Sequence, residues 1–192
     1  GYPEALGGTG GDIGHALVAF EELVVAGKSV GVKVGLGTHG IALPPILALG
    51  TEAQKRRFVP PVLAGEKIAA LAITEPDAGS DVAAIATRAV RDGDTYIING
   101  AKTFISSGCR ADLVTVAVRT GGAGHGGLSL VVVERGTPGF NVSQQLEKMG
   151  WWASDTAELS FADCRVPVAN RIGDEGQGFA AIVQNFVAER LF

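Results

Sequence analysis

Apolar and polar positions follow three different rhythms along this chain. From Asp12 onward, Ile13, Leu17, Phe20, Leu23 and Val24 recur at helical spacing, which predicts a helix capped by Asp12 with one apolar face. Glycines punctuate Val30 to Gly40, where two helical segments are expected to pack closely. Thr51 to Gln54 carries a capping-box pattern and opens a short helix that is expected to stop before Pro60-Pro61. The cationic run Lys55-Arg56-Arg57 then falls on a solvated face. At Lys67 the rhythm becomes strand-like, beginning with the short apolar run Ile68 to Thr74. Thr95 to Ile98, Asn99-Gly100 and Lys102 to Ser106 together predict a hairpin, because Asn-Gly suits the two positive-φ positions of a type I′ turn. Further strands are predicted over Leu113 to Val118, Leu128 to Glu134, Phe140 to Ser143 and Glu158 to Phe161, with Gly121 to Gly127 as an exposed loop. After Gly173-Asp-Glu-Gly-Gln-Gly178 the helical rhythm returns in Phe179, Ile182, Val183 and Phe186.

This order predicts an α+β protein. A helical N-terminal domain spans residues 1–66, and an antiparallel β domain, a barrel or a sandwich, spans 67–172. Residues 173–192 start another helical region. No internal repeat interrupts the series. The chain begins at Gly1 without methionine and ends at Phe192 within an apolar helical pattern, so it reads as an excerpt of a longer protein.

Composition narrows the partners. Sixteen Lys and Arg stand against 20 Asp and Glu, a net charge of −4, whereas phosphate-backbone binding needs a basic face; nucleic acid is not expected. The apolar stretch Leu23 to Leu49 is broken by Lys28, Lys33 and two prolines, so no membrane span is expected. Cys109 and Cys164 are isolated and fit neither a disulfide scaffold nor a cysteine zinc site, which suggests a reducing, cytoplasmic setting. His15, His39 and His125 lack metal-ligand spacing, and no metal is expected. A dinucleotide glycine fingerprint, a P-loop lysine and a hydrolase Gly-x-Ser-x-Gly are all missing.

Three segments can carry chemistry, each with an ordinary alternative. In Ile73-Thr-Glu-Pro-Asp-Ala-Gly-Ser-Asp81, Pro76 and Gly79 force a tight loop. The backbone amides and the Thr74 and Ser80 hydroxyls there can cradle an anion or the polar edge of a ring, or simply make a strand-to-loop turn. Alternation along Lys102 to Ser106 puts Phe104 and Ser106 on one face and Ile105 on the other, which suits a flat heterocycle or a core aromatic beside a strand-end serine. In the last helix Arg190 projects into the apolar stripe and Glu189 lies at its edge. Such charges pair with other chain, leave the core, or face a ligand, where a carboxylate can serve as a general base.

In order and spacing, these segments are similar to motifs of the acyl-CoA dehydrogenase family. The resemblance rests on Leu71-Ala-Ile-Thr-Glu-Pro-Asp-Ala-Gly-Ser-Asp81, Ile98-Asn-Gly-Ala-Lys-Thr-Phe-Ile-Ser106 and Lys148-Met-Gly-Trp-Trp-Ala-Ser-Asp-Thr156. It extends to Phe161-Ala-Asp-Cys-Arg-Val-Pro-Val168 and Gly173-Asp-Glu-Gly-Gln-Gly-Phe179. The resemblance implies a helical N-terminal domain, an antiparallel β-barrel-like middle domain and a C-terminal helical bundle whose first helix starts here, with FAD as cofactor and Leu71, Ala72, Ile73, Thr74, Gly79 and Ser80 lining it. Phe104-Ile105-Ser106 stand where the family carries a Trp-Ile-Thr triplet over the flavin. Ser80 and Arg190 would touch the acyl-CoA, and Glu189 matches the base of the isovaleryl-CoA and long-chain subfamilies. It further implies α,β-dehydrogenation in fatty acid β-oxidation, electron-transfer flavoprotein as oxidant and a homotetramer. A same-fold flavin oxidase or monooxygenase and a non-catalytic binding module are the alternatives. Because family FAD sites draw on the C-terminal bundle and a neighbouring subunit, these 192 residues alone are expected to bind FAD weakly or not at all.

Overall fold

The computed structural model describes residues 1–189, with Ala188 and Glu189 described by backbone alone. Five helices come first: α1 (Ile13–Gly27), α2 (Val30–Gly37), α3 (His39–Ala42), α4 (Pro44–Leu49) and α5 (Glu52–Leu63). Asp12 caps α1 as the pattern predicts, its side chain accepting from the His15 amide. Thr51 and Gln54 close a capping box on α5. The expectation that this helix stops before Pro60 is not met, since both prolines lie in its last turns. Their missing N–H groups cost hydrogen bonds, yet the Pro60 carbonyl still accepts from Ala64 and burial of Phe58, Val59 and Val62 holds the turn. Among the described residues no single helix is long and apolar enough to cross a membrane, although α2 and the following helices form a pair bent by 43° that passes by composition.

Eight strands follow: β1 (Ala69–Ala72), β2 (Arg88–Asp92), β3 (Thr95–Ser106), β4 (Leu113–Arg119), β5 (Leu128–Glu134), β6 (Phe140–Gln145), β7 (Thr156–Pro167) and β8 (Arg171–Ile172). Their order is β6-β7-β3-β2-β4-β5-β8, with β1 pairing β4 in parallel. The sheet is therefore mostly antiparallel and open, with β6 and β8 at its ends, and barrel-like only in its curl. The hairpin expected at Asn99-Gly100 does not form. Residues 95–106 are one strand, and the register against β7 shifts between Ile98 and Gly100, so the glycine marks a bulge. The actual turn is Gly93-Asp94, between β2 and β3. β2 escaped the pattern because four of its five residues are exposed and only Ala89 faces the core.

Three layers result. β1, β4 and β5 are buried on both sides, which explains their continuous apolar runs. Leu71, Leu113, Ala117, Leu128, Leu130 and Val132 face the helices with Ile46, Phe58 and Ile182. Ala70, Val114, Val116, Val118, Val131 and Val133 face Tyr96, Ile98, Leu159 and Phe161 of β3 and β7. The last helix, α6 (Gly178–Glu189), buries Ala181, Ile182 and Asn185, whereas Val183 of the expected stripe is largely exposed.

α6 is tethered at its start. The Tyr96 phenol, fully buried, donates to Glu175 and accepts from Arg171 Nη1 at 3.2 Å. The Gly176 amide donates to Ser129 Oγ at 3.1 Å. On α2 the glycines meet another partner than expected, namely the loop before β7 rather than a second helix. A Cβ on Gly31 would lie 3.0 Å from Trp151 Cα, and one on Gly35 would lie 2.9 Å from the Ala153 carbonyl oxygen. Gly35→Val is accordingly expected to lower stability by roughly 1–3 kcal/mol through overpacking; an unchanged denaturation midpoint would show that the loop yields freely.

Candidate functional site

The proline turn after β1 is built from inside the strand beside it. Glu75 and Ala78 exchange backbone hydrogen bonds of 2.9 and 3.2 Å across Pro76-Asp77. The Thr103 amide donates to the Thr74 carbonyl at 2.9 Å, which fixes the turn against β3. Beneath it lies an ion pair that sequence patterning did not find. Lys102, fully buried, donates from Nζ to Glu75 Oε1 and to the Ile73 carbonyl, both at 2.8 Å. The Glu75 carboxylate also accepts from the amides of Ala86 (2.6 Å) and Thr87 (2.9 Å). Burial pushes the Lys102 ammonium down to about 8, with the Glu75 charge opposing. Burial also works to raise Glu75, but the Lys102 charge and the hydrogen bonds outweigh it and hold the carboxyl below its ordinary range. The only local signal was a charged residue inside an apolar strand, and its partner lies 27 positions away.

On this frame the expected site residues divide by exposure. Leu71, Ala72, Ile73 and Ile105 fill the two cores, so their side chains face neighbours and only their main chain is available to a ligand. A Cβ on Gly79 would lie 3.8 Å from Thr74 Cγ2, so the glycine sits beside that threonine. Ser80 is exposed. Phe104 takes φ 60° within a register shift against β7 and is 67% exposed, while Ile105 turns into the core and Ser106 is half-buried. The hydroxyls of Thr74, Ser80 and Ser106 make no hydrogen bond among the described residues. Next to Ser106, the buried Ser107 hydroxyl likewise has no partner, as does that of Ser154. An exposed aromatic, a main-chain turn and uncommitted hydroxyls suit a flat ring with a polar edge.

Behind Ser106 opens a cavity of about 560 Å³. Its wall is mainly apolar, with Phe20 of α1, Val34 of α2, Ile41 of α3 and Pro44, Pro45 and Ala48 of α4. Trp151, Ala181, Gln184 and Asn185 complete it. Sequence patterning assigned no role to this helical wall, because its parts come from five separate elements. Ser106 is the expected site residue that reaches the cavity. The backbone of Glu189 ends α6 one turn beyond Asn185, and its side chain and all of Arg190 lie outside the described residues. Among the described residues no cluster of His, Cys, Asp and Glu can hold a metal ion.

Comparison with known proteins agrees with this architecture. Residues 1–66 match the family model for the N-terminal domain of acyl-CoA dehydrogenase, and residues 70–164 match that for its middle domain. Mitochondrial isobutyryl-CoA dehydrogenase from Bos taurus is 42% identical over 186 residues, which is 97% of this chain and 44% of that protein. The crystal structure of a probable acyl CoA dehydrogenase from Mycobacterium abscessus superposes with a TM-score of 0.98 at 58% identity, covering 100% of this chain and 51% of the other. Butyryl-CoA dehydrogenase from Megasphaera elsdenii gives 0.93 at 38% identity, covering 99% and 51%. The chain thus spans about half the length of the relatives it matches. Matched by both domain models and sharing these folds throughout, the chain belongs to the acyl-CoA dehydrogenase family.

Proposed function

We propose that the protein containing this chain catalyses FAD-dependent α,β-dehydrogenation of an acyl-CoA thioester to the trans-2-enoyl-CoA. One observation carries the reading: Ser106, its hydroxyl uncommitted, lines a mainly apolar cavity, and the exposed Phe104 stands two residues before it on β3. Thr74, Ser80 and Ser106 would hold the polar edge of the flavin, with Gly79 and the main chain of residues 71–73 and 105 beside it and Phe104 against its face. FAD, when bound, supplies the acceptor for the hydride that leaves the β-carbon. The chain's own residues orient the thioester, keep water from it and remove the α-proton, a task we give to Glu189. Holding base, thioester and flavin in register supplies much of the rate. Ser80 and Arg190 would contact the acyl-CoA. In this reading electrons pass on to an electron-transfer flavoprotein, and the protein works as a cytoplasmic homotetramer.

The test is anaerobic mixing of the FAD-loaded, full-length protein with acyl-CoA. Loss of the visible flavin absorbance with formation of enoyl-CoA is expected. A protein that stays colourless with FAD would be a binding module, and one that stays yellow with acyl-CoA would fit a monooxygenase. Rapid peroxide formation in air would mark an oxidase. Within the same assay, Ser106→Ala is expected to slow flavin bleaching by about tenfold, the loss of one hydrogen bond to a charged or polarised partner, with little change in melting temperature. Unaltered bleaching would remove Ser106 from the site.

A further inference from the structure

Three polar side chains that line the cavity are committed to their own fold. The Tyr2 phenol donates to the His39 carbonyl at 2.8 Å, His39 Nδ1 meets the Leu36 carbonyl at 2.9 Å, and Asn185 Nδ2 donates to the Ile41 carbonyl at 2.8 Å. Lys33 differs. Its ammonium lies over the Phe20 ring, 4.4 Å from the centroid, and among the described residues it makes no ion pair or hydrogen bond. Nor does any carboxylate of the described residues line the cavity.

The position of Lys33 on α2 adds direction. Gly31 and Gly35 face the loop at Trp151 and Ala153. At about 100° per residue, Lys33 points roughly 200° away from Gly31, toward α1. Ser106 and Trp151 reach the cavity from the β domain, and Lys33 and Phe20 reach it from α2 and α1. An ammonium has three N–H donors, and the face of one aromatic ring leaves them without acceptors. Lys33 is partly exposed, and an acyl chain that displaced its water without supplying an anion would leave the cation unpaired, so a cation on an apolar wall complements a bound carboxylate.

We propose that the cavity accepts an acyl group whose far end is a carboxylate, with Lys33 as its counter-ion. This rests on the dehydrogenase reading above and specifies its substrate class: the mono-CoA thioester of a dicarboxylic acid. The thioester lies on the Ser106 side, the methylene chain crosses the apolar wall, and the terminal carboxylate meets Lys33. Phe20 keeps the ammonium at that end while the cavity holds no substrate. An uncharged acyl chain of equal length gains the same apolar contact and leaves the ammonium unmatched.

The test compares adipoyl-CoA with hexanoyl-CoA on the full-length, FAD-loaded protein. The wild type is expected to favour adipoyl-CoA by about tenfold or more in kcat/KM, chiefly through KM. Lys33→Met should bring that ratio to one or below, Lys33→Gln should reduce it, and Lys33→Arg should retain most of it. A wild type that prefers hexanoyl-CoA, or a ratio unmoved in Lys33→Met and Lys33→Gln, would overturn the inference while leaving the dehydrogenase reading intact. Bleaching by neither thioester would overturn that reading, and this inference with it.

Discussion

Lys102→Ala is expected to destabilise the protein by roughly 3–5 kcal/mol, because it breaks a buried ion pair and strands one partner. The Glu75 side chain, only 8% exposed, would keep its two amide donors but lose its counter-charge, and the Ile73 carbonyl would lose its ammonium donor. For a domain of this size the melting temperature should fall by roughly 6–20 °C. The double variant Lys102→Met, Glu75→Gln should recover much of the loss, since it removes both charges and leaves an amide oxygen for Ala86 or Thr87. If the double variant melts no higher than the single one, the charge pair is not the source. The pH dependence has a definite sign. Folding lowers the Glu75 carboxyl below its ordinary value of 4.5, so its contribution is complete above that value. It is lost as the pH falls through the lower folded value. The gap in melting temperature between wild type and Glu75→Gln should therefore narrow in acid.

Glu189→Gln should slow flavin bleaching by acyl-CoA by roughly 10²–10⁴-fold, the range associated with a general base. Glutamine has the same shape but cannot accept the α-proton, so binding of FAD and substrate should persist. Two observations support the assignment. Asn185, one turn earlier on α6, is buried and lines the cavity. The start of the helix is tied to the β domain through Tyr96, Glu175, Arg171 and Ser129, which fixes its direction. Stopped-flow bleaching of the full-length variant decides the matter, and a near-normal rate would transfer the role to another carboxylate.

Element types were largely legible in the sequence because burial imposes them locally. Asp12 and Thr51 stood at helix starts, and the apolar runs of β4 and β5 announced strands covered on both faces. Connections were less legible. Asn99-Gly100 carries a strong turn signal, yet pairing of β3 with β7 on both sides of it outweighs local preference and leaves a bulge. Pro60 and Pro61 likewise yield to the buried side of α5. At the site, Thr74, Ser80 and Ser106 could be singled out by type and position. The parts fixed by long-range contacts could not, namely the Lys102–Glu75 pair, the cation of Lys33 over Phe20 and the five-element wall around it.

The middle layer also sets a clock. An amide such as that of Val116 is paired to β1 or β5 and roofed on both sides, by helices and by β3 with β7. Fraying of either cover alone leaves the other in place, so deuterium should enter there through whole-molecule opening, at a rate set by global stability. The amides of β6, at the rim with five of its six residues open to solvent, should take up label far sooner, and a mass-resolved time course would read the layering directly from the order of exchange.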